Sequence, residues 1–486
     1  WDAVVNHHSY STGGHGKDEY FGPPDQLAER VDGRTNETCN VYNMLKMTRR
    51  LFALKPDIKY AEFEERALFN HILASIDPED GRTCYMVPVG RGVRREYQEM
   101  FRSFTCCVGS GMESHSLHGD GIYYESGDRL WINIYVPSSA TWNEAGATLA
   151  METDFPIGDE ATLKLTMKKP KSLTLALRRP SWADTGFDVK VNGKSVKPVP
   201  GPGSYVEVKR TWKTGDSVSI VLPKTLRVEG LADNKDRAAL MWGPLVLAGD
   251  LGPERRGGPA EPIPSLVTSE KPVTEWLQPV PDSVGVFRTV GVGRNVDGQT
   301  KDVEFVPFYR LHRRTYGVYW DLYTPESFSR KTEELAAEKM KLQELEAASV
   351  SFLQPGDPER EKPFNQQGEE TAPDRAMGRM GRRGRKWFSF DLPVNPGRAM
   401  ALVVTFGTEE RAKRSFEILV EGQRVGEGTI ERYPPGSPSG RFYDVVYKIP
   451  VDLVKEKKKL TIRFQATGDN ETATVYGIRI IRADEK

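Results

Sequence analysis

The stretch Arg129-Leu130-Trp131-Ile132-Asn133-Ile134-Tyr135-Val136 marks the point where the chain changes from helical to β structure. Four apolar residues alternate there with more polar or aromatic neighbours: Leu130, Ile132, Ile134 and Val136. A two-residue period is typical of strands with one buried face. Similar short runs follow, and Asn192-Gly193 is a type I′ hairpin signal after one of them. The pattern predicts an antiparallel β-sandwich domain over 126–251.

Upstream of this point, residues 1–125 have the period of helices. Asn36 is the predicted N-cap of a first helix, whose apolar residues at helical spacing are Val41, Met44, Leu45, Leu51 and Phe52. A second helix is predicted from about Tyr60 to Ile76, and a third begins just after Cys107. The first assignment places Glu37 and Cys39 in the first helical turn, where the helix dipole favours a carboxylate and a thiolate.

Downstream of the sandwich, the chain is predicted to hold a linker, a closing strand and a surface helix over 252–352. The helix is Glu326 to Ala348, which is polar with only a thin apolar stripe. Residues 353–386 lack periodicity and end in a basic run, which predicts a solvated loop. Alternating apolar residues return over 387–486, so a C-terminal β-sandwich is predicted there, as a candidate carbohydrate-binding unit.

Composition excludes several classes of partner. Lys plus Arg and Asp plus Glu both number 68, so the net charge is zero, which argues against nucleic acid or an acidic membrane as the main partner. No apolar run approaches the roughly 20 residues of a membrane span. Four cysteines in 486 residues are too few for a disulfide framework. The chain opens at Trp1 without Met or a signal peptide, and we therefore expect it to be truncated at its N-terminus.

Three of the four cysteines fall into two tight groups. Cys106 and Cys107 are adjacent, and Cys39 lies two residues after Glu37. Three thiols and a carboxylate supply the number and type of ligands that a tetrahedral zinc ion needs. The spacing matches no zinc-finger pattern, which favours a catalytic site over a structural one. The alternative is that these are ordinary buried free cysteines, a common location for this residue type.

Further motifs accompany these groups in a fixed order. They are Thr12-Gly13-Gly14, Asp18-Glu19-Tyr20-Phe21, Glu37-Thr38-Cys39-Asn40, Tyr60-Ala61 with Glu65, and Thr105-Cys106-Cys107. In this order they resemble the β-L-arabinofuranosidases of glycoside hydrolase families 127 and 146. Of the two families, family 146 is the closer match. Members of those families are zinc-thiolate retaining glycosidases with an (α/α)6 barrel followed by β-sandwich domains. The resemblance covers residues 1 to about 350.

The resemblance implies a role for each matching residue. Glu37, Cys39, Cys106 and Cys107 match the zinc ligands. Cys106 also matches the nucleophile that attacks the anomeric carbon, and Glu19 matches the general acid/base. Two residues match substrate-binding positions: Glu65, which would hold sugar hydroxyls, and Tyr85, near the nucleophile. A free thiol titrates near about 8.5, so a zinc ion and a helix N-terminus would keep the nucleophile deprotonated.

The implied fold is multidomain α + β: a partial (α/α)6 barrel with only its C-terminal helices, followed by antiparallel β-sandwich domains. The implied function is release of β-L-arabinofuranose from plant glycans or glycoproteins by a secreted or periplasmic enzyme. Its substrate would be an arabinose-containing oligo- or polysaccharide. Because the earlier barrel helices are absent, the chain would hold the metal ligands without a closed pocket.

Each of these interpretations has an alternative. An isolated Glu19 in a charged stretch is usually a surface residue, and Glu65 lies on an amphipathic helix whose acidic face is usually solvated. The whole chain could instead be a non-catalytic carbohydrate-binding or scaffolding protein with a vestigial helical domain. The aromatic candidates for that role are Trp131, Trp182 and Trp387. A third possibility is the same scaffold with another sugar specificity.

Overall fold

The structure is a computed structural model that describes residues 1–254, 262–434 and 440–483. It divides into two compact units, Trp1–Phe328 and Ser329–Lys486. Each unit has its own apolar cores and strands outnumber helices in both. The predicted order of a helical segment followed by β domains is therefore confirmed.

The first unit opens with the helical segment, which contains α1 (Asp2–His7), α2 (Thr38–Leu54), α3 (Ile58–Ala67) and α4 (Cys106–Ser116). Helix α3 continues through a π-helical turn at Leu68–Ile72 and a 3₁₀ turn at Leu73–Ser75, and a further 3₁₀ turn lies at Ala28–Arg30. Helix α2 packs against α3 and α4. The three predicted helices are confirmed, but the predicted partial (α/α)6 barrel is not.

A β-sandwich follows the helical segment. Its four-stranded sheet runs in the order Ser204–Trp212, Lys171–Arg179, Arg129–Ile132 and Tyr123–Ser126. Its six-stranded sheet runs in the order Ser138–Trp142, Ala147–Thr153, Glu160–Met167, Ser217–Val221, Asp188–Val191 and Lys194–Ser195. The predicted bounds of 126–251 are too wide, because Leu226–Gly230, Arg237–Trp242 and Leu245–Pro253 belong to another sheet. Arg129–Ile132 runs parallel to Lys171–Arg179, so the sandwich is not wholly antiparallel. Asn192 and Gly193 have φ of 50° and 76°, as the predicted type I′ turn requires.

The helical segment and the sandwich share one apolar core. Apolar residues of α2 and α3, such as Met44, Leu45 and Phe63, belong to the same buried cluster as Ile132 and Leu163 of the two sheets. The apolar stripe of each helix is buried because it packs against a neighbouring element of this core.

An eleven-stranded sheet completes the first unit. Its main path is Leu277–Pro279, Phe287–Thr289, Glu304–Pro307, Leu245–Pro253, Arg237–Trp242, Tyr319–Tyr323, Ser265–Val267 and Gly293–Arg294, with Arg91–Val93, Leu226–Gly230 and Arg314–Gly317 joined beside it. A short helix, α5 (Val273–Trp276), and a 3₁₀ turn at Phe308–Arg310 connect some of these strands. The linker predicted at the start of 252–352 is wrong for its described part, which contains strands of two or three residues that are too short to show a period.

Helix α6 (Pro325–Ala348) has no buried residue, which confirms the predicted surface helix. Among the helices of the described ranges, none is long and apolar enough to cross a membrane.

The second unit is a nine-stranded sheet around an apolar core. Its main path is Gln423–Ile430, Arg414–Val420, Lys459–Ala466, Arg379–Pro393, Val475–Arg482, Met400–Gly407 and Phe442–Lys448, with Ser349–Leu353 and Gln367–Ala376 joined beside it. Its short helices are α7 (Pro358–Glu361) and α8 (Val451–Val454), with a 3₁₀ turn at Lys362–Phe364. Phe388, Phe390 and Phe464 lie in its core, as the predicted alternation over 387–486 requires.

The predicted loop over 353–386 is wrong. Gln367–Ala376 and Arg379–Pro393 form a long antiparallel hairpin that includes the basic run. Arg382 is buried and its guanidinium donates to Glu361, with Nε 2.7 Å from Oε1, while Nη1 of Arg383 lies 3.0 Å from Oε2 of Glu471. The run is a strand because its charges are paired with acidic groups that are distant in sequence.

Candidate metal and catalytic site

Two helix N-termini carry the thiol cluster. Glu37 is the N-cap of α2 and Cys39 is the second residue of that helix, while Cys106 and Cys107 are the first two residues of α4. Neither cap residue forms a side-chain hydrogen bond to its helix. The positive end of each helix dipole therefore lies near these side chains, which favours negative charge on them.

The predicted N-cap, Asn36, is wrong by one residue. Asn36 has a φ of 65° and is buried, and its side-chain amide donates to Oγ1 of Thr12 at 3.2 Å and to the carbonyl of Val87 at 3.3 Å. Because the Asn36 side chain makes these tertiary hydrogen bonds, it does not cap α2, and Glu37 is the N-cap of that helix. The expected placement of Cys39 in the first turn still holds.

The structure brings together the four predicted ligands. One donor atom from each of Glu37, Cys39, Cys106 and Cys107 lies within 4.8 Å of the others. Sγ of Cys107 is 3.3 Å from Sγ of Cys39 and 3.8 Å from Sγ of Cys106. Oε1 of Glu37 is 3.8 Å from the sulfurs of both Cys106 and Cys107. All four cysteines of the chain are free thiols.

These separations fit a tetrahedral metal site. Thiolates bound about 2.3 Å from a zinc ion at tetrahedral angles would have sulfurs roughly 3.8 Å apart, and a carboxylate oxygen slightly closer to them. Four of the six separations are 3.3 to 3.8 Å, near that spacing, and all six are within 4.8 Å. Three thiols and one carboxylate are a donor set that zinc accepts, so the residues present fit the ion that the sequence implies.

Electrostatics within the cluster also favour a cation. Burial raises the pKa of Cys39 to about 11, although a hydrogen bond from Ser110 opposes that shift. Burial raises the pKa of Cys107, and burial with the nearby charge of Glu19 raises the pKa of Glu37. A group of anionic ligands that repel one another and are partly desolvated is stabilised by a positive ion at its centre.

Tyr85 and Glu19 extend this cluster on its open side. The hydroxyl of Tyr85 is 3.7 Å from Sγ of Cys106 and 2.5 Å from Oε1 of Glu19. Together these distances place Oε1 of Glu19 no more than about 6.2 Å from the Cys106 sulfur, an upper limit that admits the roughly 5–5.5 Å between the two carboxyl groups of retaining glycosidases. The hydrogen bond to Glu19 is the main cause that raises the pKa of Tyr85.

Backbone pairing fixes both residues. The N–H of Thr38 donates to the carbonyl of Tyr85 at 3.0 Å, which ties the Tyr85 segment to the start of α2. Glu19 lies in a two-residue turn between Lys17 and Tyr20, which bond to each other in both directions at 2.9 Å. Asp18 and Glu19 have φ of 50° and 70° in that turn. The turn holds an exposed carboxylate at the cluster rather than leaving it on a flexible segment.

The substrate-binding prediction for Glu65 does not fit its surroundings. Its side chain is 2% exposed and belongs to α3. One carboxylate oxygen accepts a hydrogen bond from Arg178, and the other accepts one from Nε1 of Trp182 at 2.8 Å. Arg178 and Trp182 belong to the sandwich side of the core, so Glu65 joins the helical segment to the sandwich instead of facing a sugar.

Ser110 is the residue of this site that the sequence interpretation missed. Its Oγ lies 3.1 Å from Sγ of Cys39, which it reaches from one turn beyond Cys106 on α4. That four-residue spacing from Cys106 was an available signal, because residues four apart share a helix face. Cys84, the fourth cysteine, is fully buried and has no atom in the cluster.

Comparison with known protein families finds matches for three parts of the chain. Residues 1–120 match the β-L-arabinofuranosidase GH127 catalytic domain, and residues 129–224 match the GH127 middle domain. Residues 344–481 match a family of unknown function, DUF6805.

Individual relatives agree with these matches. A curated non-reducing end β-L-arabinofuranosidase of Bifidobacterium longum subsp. longum is 25% identical over 276 residues, which are 51% of this chain and 40% of that protein. The crystal structure of a GH127 β-L-arabinofuranosidase from Geobacillus stearothermophilus T6 has a TM-score of 0.52 at 22% identity, covering 66% of this chain and 55% of that one. A second GH127 β-arabinofuranosidase structure has a TM-score of 0.52 at 23% identity, covering 68% and 56%. The chain thus spans 40% of the curated relative and just over half of each structure.

The helical segment, which carries the Glu and three Cys at two helix N-termini, matches a catalytic domain. The β-sandwich that follows it matches a middle domain. The protein class whose domains these two segments match is the glycoside hydrolases. Within that class, residues 1–120 and 129–224 are similar to the catalytic and middle domains of family 127, the β-L-arabinofuranosidases.

Proposed function

We propose that this protein is a retaining β-L-arabinofuranosidase that uses Cys106 as nucleophile and Glu19 as general acid/base. The observation that carries the proposal is the gathering of four metal-donor atoms within 4.8 Å, beside a carboxylate that is hydrogen-bonded to Tyr85. Zinc fits this donor set, with Glu37, Cys39, Cys106 and Cys107 as the residues that would hold it. A bound zinc ion would supply the positive charge that keeps the thiols deprotonated and oriented.

Accessibility favours Cys106 as the nucleophile among the three sulfurs. Cys106 is exposed, Cys39 is half-buried and Cys107 is buried. Cys106 is also the sulfur that lies 3.7 Å from the Tyr85 hydroxyl. A sugar placed over α4 would therefore meet Cys106 first, with the hydroxyl of Tyr85 beside the bond that forms.

In the first step, Sγ of Cys106 attacks the anomeric carbon, a C–S bond forms and the glycosidic C–O bond breaks. Glu19 gives its proton to the departing oxygen. In the second step, Glu19 takes a proton from a water molecule, whose oxygen attacks the same carbon and displaces the sulfur. Two inversions retain the anomeric configuration. Tyr85, hydrogen-bonded to Glu19, holds the carboxylate toward the sulfur.

The proposed substrate is an arabinose-containing oligo- or polysaccharide of plant glycans or glycoproteins, with a β-L-arabinofuranose at its non-reducing end. The curated relative, which is named for that specificity, supports this choice. Because such polymers occur outside the cell, we also propose that the protein is secreted or periplasmic.

The test combines metal analysis with hydrolysis of an aryl β-L-arabinofuranoside by the zinc-loaded chain. We expect one zinc ion per chain, and a loss of turnover by a factor on the order of 10³ or more in Cys106→Ala. Glu19→Gln should lose roughly 10² to 10⁴, since it removes the proton transfer. Cys84→Ala is the matched control, because this thiol is buried apart from the cluster, and it should keep both zinc and turnover.

Two outcomes would contradict the proposal: turnover by Cys106→Ala at the parent rate, or a zinc-loaded parent that does not cleave the aryl glycoside. A parent that binds arabinose polymers without cleaving them would instead support the alternative of a carbohydrate-binding or scaffolding protein.

A further inference from the structure

A cavity of about 710 Å³ lies at the far end of α2 from the thiol cluster. One wall is formed by the last residues of α2 and the start of α3, including Phe52 and Asp57. The other wall belongs to the four-stranded sheet of the sandwich. Binding sites for small ligands commonly have volumes of about 300–1,000 Å³ and commonly lie where two structural elements diverge. Cys39 and Leu54 are separated by 15 helical residues, or about 22 Å, so this cavity is distinct from the thiol cluster.

Strand register builds the sheet wall. Glu207, Ala176, Trp131 and Tyr124 are direct neighbours across the four strands, so their side chains lie in one row on the same face. Three of them line the cavity, and Ala176, which is buried, lies between Glu207 and Trp131. The small side chain of Ala176 leaves a gap in the row, which separates a carboxylate on one side from an indole and a phenol ring on the other.

Polar groups around the rings are fixed in position. Arg129 donates to both oxygens of Glu207, at 2.5 and 3.1 Å, and its guanidinium lies 5.5 Å from the Trp131 ring centroid. The hydroxyl of Tyr205, which also lines the cavity, donates to Oδ1 of Asn133 at 2.7 Å. Side chains held in this way lose little further entropy when a ligand binds.

Tyr124 contributes a hydroxyl that is buried with no hydrogen-bond partner in the part of the chain that the structure describes. Its ring packs against Phe52 with centroids 4.3 Å apart, which fixes its position in the wall. A buried hydroxyl without a partner costs free energy, and a ligand hydroxyl that bonded to it after a small shift of the ring would recover that cost.

The other two aromatic candidates from the sequence are less suited to stacking on a ligand. Trp182 is 9% exposed, and its Nε1 donates to Glu65. A guanidinium covers the ring of Trp387 more closely than that of Trp131, since Arg463 lies 4.0 Å from the Trp387 centroid and Arg129 lies 5.5 Å from the Trp131 centroid. Trp131 lines the cavity at the end of α2.

From this arrangement we infer that the cavity is a second carbohydrate-binding site, which takes a neutral oligosaccharide apart from the thiol cluster. Sugars present apolar C–H faces to aromatic rings and hydroxyl groups to carboxylates and guanidinium groups. Trp131 and Tyr205 supply the rings, while Arg129 and Glu207 supply paired donors and acceptors at the edge. A binding site about 22 Å from the cluster would hold a glycan chain to the protein while one end is processed.

The test is retardation of the full chain in native gels that contain soluble arabinan, arabinogalactan or dextran. We expect at least one arabinose polymer to retard the parent, and Trp131→Ala to weaken that affinity by at least about tenfold. Trp387→Ala is the matched control, since it removes a partly exposed tryptophan outside the cavity, and it should behave as the parent. Tyr124→Phe removes one hydroxyl and should weaken the affinity by roughly threefold to tenfold.

The choice of arabinose polymers rests on the proposed function, but the binding assay does not require hydrolysis. Trp131→Ala should keep the parent kcat and KM on an aryl β-L-arabinofuranoside, because that small substrate does not reach the cavity. Tyr124→Phe changes no ring packing, so it remains informative if Trp131→Ala does not fold. The inference would be overturned if Tyr124→Phe and any folded Trp131→Ala were retarded in the gels as strongly as the parent. It would also be overturned if none of the three polymers retarded the parent.

Discussion

Arg178 offers a quantitative test of how the helical segment is held to the sandwich. Its guanidinium is fully buried, and it donates to Glu62 at 3.0 Å, to Glu65, and to the carbonyl of Asn133 at 2.6 Å. Glu65 is almost equally buried and accepts one further hydrogen bond, from Trp182. These contacts connect α3 to the sandwich through one ion-pair network.

The Arg178→Met variant removes the cation and leaves the Glu65 carboxylate buried without a counter-charge. Breaking one partner of a buried ion pair costs roughly 3–5 kcal/mol in the free energy of unfolding. For a unit the size of Trp1–Phe328, that corresponds to a melting temperature lower by about 4–7 °C. The matched control is Arg288→Met, which breaks the exposed pair with Glu304 and should cost no more than about 1 kcal/mol.

The pH dependence of that loss identifies its cause. Burial already raises the pKa of Glu65, and the charge of Arg178 opposes the shift, so the variant should raise the pKa further. A carboxyl whose pKa is raised on folding contributes stability that is present below its unfolded pKa of about 4.3 and is lost as pH rises through its folded pKa. Arg178→Met should therefore be least damaging near pH 4 and most damaging near pH 7.

Denaturant unfolding followed by tryptophan fluorescence at several pH values measures both effects. Adding Glu65→Gln to Arg178→Met should recover about 2 kcal/mol or more at pH 7, because it removes the unpaired charge. The reasoning would be refuted if Arg178→Met unfolded within 1 kcal/mol of the parent at pH 7, or if its penalty were the same at pH 4.

Two further predictions concern single side chains. Ser110→Ala removes the hydroxyl 3.1 Å from the Cys39 sulfur and should weaken zinc binding by roughly tenfold in chelator competition. Ser110→Thr keeps a hydroxyl and should retain the parent's zinc affinity. Equal zinc affinities in all three proteins would contradict a positioning role for Ser110. Burial raises the pKa of Glu64 to about 7, so the free energy of unfolding should fall by up to about 3 kcal/mol as pH rises from about 4.5 to 7, and Glu64→Gln should flatten that decline. A slope unchanged by Glu64→Gln in urea titrations would show that another group causes it.

Much of the secondary structure could be predicted because its causes are local. Helix α2 has apolar residues such as Val41, Leu45 and Phe52 on the face that the structure buries, and the alternation from Leu130 to Ile132 matches a strand with one buried face. The Asn192-Gly193 turn was predictable because few residues other than these accept a positive φ. The predicted gathering of Glu37 with three thiols is found in the structure, while the roles of these residues stay predictions.

The errors arose where a distant partner decides the conformation or role of a residue. Asn36 does not cap α2 because Thr12 and Val87 engage its side chain. The strand through Arg382 forms because Glu361 neutralises a charge that would otherwise keep the segment in solvent.

The sequence by itself determined the elements and the chemical types at the site: apolar periods specify helices and strands, and three thiols with one carboxylate specify a soft-metal donor set. Only the tertiary structure decided which side chains meet. It places Glu65 against Arg178, 113 residues away, and Ser110 against Cys39, 71 residues away. It also aligns Glu207, Ala176 and Trp131 in one row through strand register. The physical reason is that periodicity records which face of an element is buried, whereas contacts between elements depend on packing and register across the whole unit.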